Sequence, residues 1–171
     1  MAASGILSED DRVELLQGEI VHLCPVGSRH VACVNRLTQA FSGRLANRVI
    51  VSVRNAIRLG DYSEPEPDLA LLRRRDDFYV DALPVAKDVS LIVEVMQSST
   101  ESDREVKIPL YAHAGVPEVW LVDLEQERIE VYRRPEEGEY AEVTRCERGS
   151  LVTPEAFPEL QLAVEEICGL L

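Results

Sequence analysis

The spacing of apolar and polar positions changes several times along the chain, and each change predicts an element. Glu14 to Gly18 reads as a short helix or turn, and Glu19 to Leu23 as a strand. Pro25 and Gly27 break that strand, and Ser28 is placed to cap a helix. From Arg29 to Ala46, Val31, Val34, Leu37, Phe41 and Leu45 recur at intervals of three or four, the stripe of an amphipathic helix ending near Asn47. Val49 to Arg54 and Ile57 to Leu59 read as β segments, and Gly60 to Pro65 as a loop. Pro67 to Leu72 is a short apolar strand that begins on an acid, Asp68. Arg73 to Asp88 is polar and expected at the surface.

Val89 to Met96 is nearly all apolar, as expected of a central strand buried on both faces. Gln97 to Thr100 is a loop, Ser102 to Ala114 is helical, and Gly115 caps it. Pro109 has no amide proton and clashes with the preceding turn, so it either kinks that helix or opens a second short one. Val119 to Val122 is another buried strand, in which Trp120 reads as core. Residues 124–127 turn, and Arg128 to Arg133 alternates as a half-exposed strand. Glu136 to Gly138 turns again, Tyr140 to Arg145 returns, and the tail from Leu151 carries Pro154, Pro158 and a short element from Leu160. Strand–helix–strand followed by a hairpin predicts an α/β layer domain with a mixed sheet.

Length and composition narrow this further. A chain of 171 residues with 46% apolar content predicts one domain spanning 1–171, with its core in about residues 13–135. No apolar run approaches the roughly 20 residues of a membrane span, and the first residues do not read as a secretory signal. Cys24, Cys33, Cys146 and Cys168 form no CxxC pair, and read as reduced thiols of a cytoplasmic protein. The formal net charge of -13 opposes a simple nucleic-acid binder, yet arginines crowd the first third and Arg73 to Arg75 form a basic run.

Candidate chemistry begins with Glu94. A carboxylate inside a buried strand is costly and needs a partner, a proton or a metal. Asp68 opens another apolar segment, and two acids on neighbouring strands can share one divalent cation; magnesium suits such a site, with the Val95 carbonyl as a further ligand. Asp103 and Lys107 stand four apart on the helix after the Glu94 strand. A lysine there can orient water or offset phosphoryl charge. Each residue also has a structural reading. Asp68 could cap a turn, Glu94 could pair with an arginine, and Asp103–Lys107 could be an exposed pair worth about 0.2–0.5 kcal/mol.

Ser63-Glu64-Pro65-Glu66-Pro67-Asp68, Ile92-Val93-Glu94-Val95, Asp103, Lys107, Tyr111 and the run Gly115 to Asp123 together resemble the Uma2 family (DUF820) of restriction-endonuclease-like proteins. The resemblance extends from about Val13 to Leu171 and places the chain in the PD-(D/E)xK nuclease superfamily. It implies a restriction-endonuclease-like mixed central sheet flanked by helices. It also implies magnesium- or manganese-dependent hydrolysis of DNA phosphodiester bonds, and a homodimer. Asp68 and Glu94 match the two metal-binding acids; the superfamily's usual lysine position holds Met96, and Lys107 on the next helix matches its replacement. Asp103 would then hold Lys107 or reach the metal through water. Glu14 and Glu19 fall where related nucleases place an accessory acid, and His30 where the family has a histidine able to contact phosphate or water. Two rival expectations stand beside this one. The first is a catalytically inactive nuclease-fold binding module, which Met96 and the net charge favour. The second is a metal-free acid–base hydrolase of the glycosidase kind.

Overall fold

The computed structural model describes residues 12–23, 25–96 and 103–169. The expected loop Gln97 to Thr100, Ser102 at the start of the expected helix, residues 1–11 and Cys24 lie outside the described residues.

A six-stranded sheet organises the fold. Its strands are β3 (Val49–Ser52), β4 (Leu69–Arg73), β5 (Val89–Met96), β6 (Glu118–Asp123), β7 (Arg128–Glu136) and β8 (Glu139–Cys146), adjacent in that order. Among these six strands only β5 and β6 run parallel, and the crossover between them carries a π-helical turn (Asp103–Lys107) and α2 (Ile108–His113). The remaining neighbours are antiparallel, so the sheet is mixed as expected. Ahead of it, β1 (Val13–Leu16) and β2 (Glu19–His22) form a hairpin, followed by α1 (Ser28–Leu45). The tail contributes β9 (Leu151–Val152), β10 (Leu162–Ala163) and α3 (Val164–Cys168).

Alternation along the strands divides the interior into two apolar layers. One packs Leu37, Phe41 and Leu45 of α1 against Leu69, Val93, Trp120 and Val131. The other packs Ile108 and Tyr111 against Ile92, Leu121 and Tyr132. Phe157, Leu162 and Ile167 join the first layer, so the core extends past the expected limit near residue 135.

Several local expectations change. Glu19 to His22 is a strand as expected, but Glu14 to Leu16 is a strand rather than a helix, and the turn is confined to Gln17 and Gly18, whose positive φ (52° and 87°) reverses the chain into a hairpin. Ile57 to Leu59 makes an isolated bridge through Arg58 to Val85 and no strand. Gly27, not Ser28, is the residue preceding the first helical turn. Within α1 the buried stripe is His30, Cys33, Val34, Leu37, Phe41 and Leu45, while Val31 is exposed. The first turn is rotated so that a histidine faces inward. Pro109 does open a second short helix, since the π-helical turn ends before it. Gly115, at φ 78°, follows the last turn of α2 as expected. β7 is more buried than its alternation suggested: residues 129–132 are all buried, Glu130 among them.

Candidate active site

The register of β4 and β5 pairs Leu69 with Val93, so Asp68 stands opposite Glu94 one residue further along. Their neighbours Leu69, Val93 and Val95 point into the α1 layer, which turns both acids to the opposite face, the one α2 covers. Both are buried, at 8% and 3% exposure. A hydrogen bond of 3.4 Å from the Asp68 amide to Glu94 Oε2 ties them together.

Each acid is held by its own donors. Asp68 Oδ2 accepts from the Val95 amide at 2.9 Å and from His30 Nε2 at 2.9 Å. An ionised carboxylate only accepts, so His30 carries its proton on Nε2. Its Nδ1 is buried without a hydrogen-bond partner among the described residues. The other oxygen, Asp68 Oδ1, lies 3.9 Å from Arg54 Nε. Glu94 Oε1 accepts from the Tyr111 hydroxyl at 2.5 Å and faces Lys107 Nζ at 3.3 Å.

Lys107 is itself buried, at 5% exposure, and its ammonium also lies 3.1 Å from Glu14 Oε2. Glu14 comes from β1, which is bound to the loop before β4. Leu15 and Glu64 exchange backbone hydrogen bonds, and the Gln17 amide donates to Ser63 Oγ. The Glu66 amide donates to Glu14 Oε2 at 3.1 Å. Burial, and next the Glu14 charge, pushes the Glu66 carboxyl above its ordinary range. These groups line a cavity of about 650 Å³ between the β1–β2 hairpin, the start of α1 and the strand ends.

The sequence expectations distribute unevenly over this site. Asp68, Glu94, Lys107, Glu14 and His30 come together, and Val95 contributes its amide to Asp68. Glu19 is exposed on β2 and only lines the cavity. Asp103 opens the π-helical turn; its side chain lies outside the described residues. Tyr111, Arg54 and Glu66 also belong to the site; Tyr111 and Glu66 stand among the residues that carry the resemblance, which gives them no role, and Arg54 counts in the sequence only as one of the arginines of the first third. For Glu66 the signal was its place in Glu64-Pro65-Glu66-Pro67-Asp68, where two prolines hold the backbone extended beside Asp68.

Among the described residues no three acids, histidines or cysteines are grouped as a metal site, so a hard divalent cation, which needs only one or two protein carboxylates, would rest on the Asp68–Glu94 pair. Glu14, Glu66, Asp68 and Glu94 outnumber Lys107 and Arg54, and their oxygen chemistry is what magnesium and manganese take. Asp68 and Glu94 stand opposite each other across β4 and β5, joined by the Asp68 amide, which is where a shared cation would sit.

The six-stranded mixed sheet, with helices on both faces and an acid pair opposed across β4 and β5, defines a restriction-endonuclease-like fold. The chain belongs to the Uma2 family, described as "Putative restriction endonuclease", which it matches over residues 4–165. Its fold is also that of a crystal structure from Anabaena variabilis ATCC 29413, described as "a putative nuclease belonging to DUF820". The TM-score is 0.77 at 18% identity, covering 98% of this chain and 95% of that one. No curated protein matches the chain. Among the described residues, no helix is long and apolar enough to cross a membrane.

Proposed function

We propose that this protein is an endonuclease that hydrolyses DNA phosphodiester bonds with magnesium or manganese. The observation that carries the reading is the opposition of Asp68 and Glu94 across β4 and β5, with Lys107 Nζ 3.3 Å from Glu94 Oε1 in an open cavity. Asp68 and Glu94 would hold the ion, with the Val95 carbonyl as a further ligand. When bound, the ion supplies Lewis acidity toward the phosphoryl group and acidifies water.

The chain's own groups do the rest. His30 and the Val95 amide fix one oxygen of Asp68, and Tyr111 fixes one oxygen of Glu94, so the acids meet the ion already oriented. Lys107 sits where an ammonium can orient water or offset negative charge developing on the phosphoryl oxygens. Coming from the π-helical turn, it takes the part of the strand lysine that Met96 replaces. Glu14 holds the lysine from its other side.

The test is cleavage of supercoiled plasmid by the purified protein in magnesium or manganese. Asp68→Asn and Glu94→Gln should each lower the rate at least about 100-fold, because each removes charge from the ion's site. Cleavage at the wild-type rate by either variant sinks the assignment. The rival reading, an inactive binding module, is favoured by Met96 and the net charge of -13. It predicts no calorimetric signal on metal addition and no cleavage of DNA or RNA.

A further inference from the structure

Two strands beyond Glu94, the same face of the sheet carries a second buried acid that the proposed chemistry does not use. The register runs from Glu94 to Leu121, from Leu121 to Glu130 and from Glu130 to Arg145, so all four side chains share one row and one face. Glu130 is 2% exposed and gathers three arginines. Arg104 Nη2 lies 2.9 Å from its Oε2, Arg145 Nε 3.2 Å from its Oε1, and Arg128 Nη2 3.4 Å from its Oε1. Tyr132 donates its hydroxyl to Oε2 at 2.7 Å. Among the described residues, the other acid in contact is Asp123, 3.9 Å from Arg128, and its second oxygen is taken by the Glu125 and Gln126 amides. Three cations thus meet two carboxylates, on a protein with a net charge of -13.

One carboxylate cannot use this many donors. Each guanidinium carries five N–H groups, and the Nε atoms of Arg104 and Arg128 are buried with no hydrogen-bond partner among the described residues. The arginine side chains keep 40%, 22% and 64% of their surface open. Glu130 therefore acts as an anchor that sets three arginine forks at the surface, a preorganised arrangement suited to a phosphate. Arg104 shares the π-helical turn with Lys107. With strands spaced about 4.8 Å apart, the Glu130 row position lies roughly 10 Å from Glu94, within reach of a phosphate flanking the one at the acid pair.

We propose that Arg104, Arg128 and Arg145 form a binding site for a nucleic-acid backbone phosphate, which positions the strand across the acid pair. The proposal rests on the nuclease reading for its ligand. The test is fluorescence anisotropy of a fluorescein-labelled DNA duplex with the full chain in calcium chloride, over a range of sodium chloride concentrations. Arg145→Gln and Arg128→Gln should each weaken binding and reduce the slope of log affinity against log salt by about 1. Arg145→Lys should keep the slope. Arg75→Gln, paired with Asp77 beyond the far end of β4, should match wild type.

Thermal melts are to be run on each variant as a check of folding; Arg145, with 64% of its side chain open, is expected to be replaceable without unfolding the chain. Unchanged slope and affinity in both glutamine variants overturn the phosphate site, and so does a wild-type chain that binds no DNA. Plasmid cleavage separates the two readings. A chain that cleaves with an arginine-independent slope loses only the phosphate site. A chain that binds with an arginine-dependent slope and never cleaves keeps the phosphate site and loses the nuclease.

Discussion

Lys107 is the residue on which the candidate site balances. Its ammonium lies between Glu14 and Glu94, at 3.1 and 3.3 Å, and all three side chains are buried. Desolvating three charges is tolerable only while attraction offsets it; removing one partner costs more than the pair gained. Lys107→Met keeps the apolar stem and removes the charge, leaving two buried carboxylates facing the vacated position. Two losses are expected. Urea unfolding should show a chain roughly 3–5 kcal/mol less stable. On the proposed nuclease reading, metal-dependent cleavage should fall about 100-fold or more, since the site loses an ammonium that would orient water or offset phosphoryl charge. A variant with wild-type unfolding midpoint and wild-type cleavage would mean that the amine neither holds the acids nor assists the reaction. Tyr111 makes the contrast at the same oxygen: it donates to Glu94 Oε1 without adding charge, so it orients the acid and cannot replace the lysine.

At the scale of elements, the site depends on segments that the sequence reveals unequally. β5 was legible because its eight residues run with almost no polar interruption, and Glu94 was legible for the same reason, as the one charge in that run. β2 was legible as a strand but β1 was not, because four residues are too few to separate a strand from a helix or turn by period. Glu14 therefore enters only as an accessory acid through the resemblance, since its place beside Lys107 depends on the long-range pairing of Leu15 with Glu64. His30 interrupts an apolar stripe as a polar residue, so periodicity favoured Val31 instead; the Asp68 hydrogen bond decides the rotation. Glu130 was hidden similarly, since alternation marks a polar position as exposed and does not detect arginines arriving from two other elements. The hairpin offers a direct check. Gly18 sits at φ 87°, where a Cβ meets no neighbouring atom yet strains the backbone. Gly18→Ala should therefore cost about 1 kcal/mol, lowering Tm by roughly 2–4 °C. On the proposed nuclease reading it should also slow cleavage, because β1 carries Glu14, which contacts Lys107. An unchanged melt would show that the turn does not need its left-handed residue.

For the whole molecule, the same burial that builds two apolar layers on one sheet sets its response to alkali. Cys33 lies on the buried face of α1, where burial and then the neighbouring Cys168 push its thiol up to about 12. Cys168, in α3, is pushed up to about 11, chiefly by burial. On the other face, burial and then the hydrogen bond to Glu130 push Tyr132 up to about 12, and burial raises Tyr140 as well. All four groups stay protonated in the folded chain beyond the pH at which they ionise when unfolded. The folded state thus binds more protons than the unfolded state once pH passes the unfolded values, about 8.5 for a thiol and about 10 for a phenol. Stability is then fully present below that range and is lost as pH rises toward the folded values near 11 and 12. The contributions come from both layers, so the loss should appear as one cooperative shift rather than as local fraying. Melting followed by circular dichroism should give a nearly constant Tm from about pH 7 to about pH 8.5, then a fall of several degrees by about pH 10.5. The unfolding midpoint in urea should drop over the same interval without a change in slope. A Tm that holds constant to about pH 11 would mean that these thiols and phenols reach solvent in the folded chain, contrary to their burial beneath α1, α2 and α3.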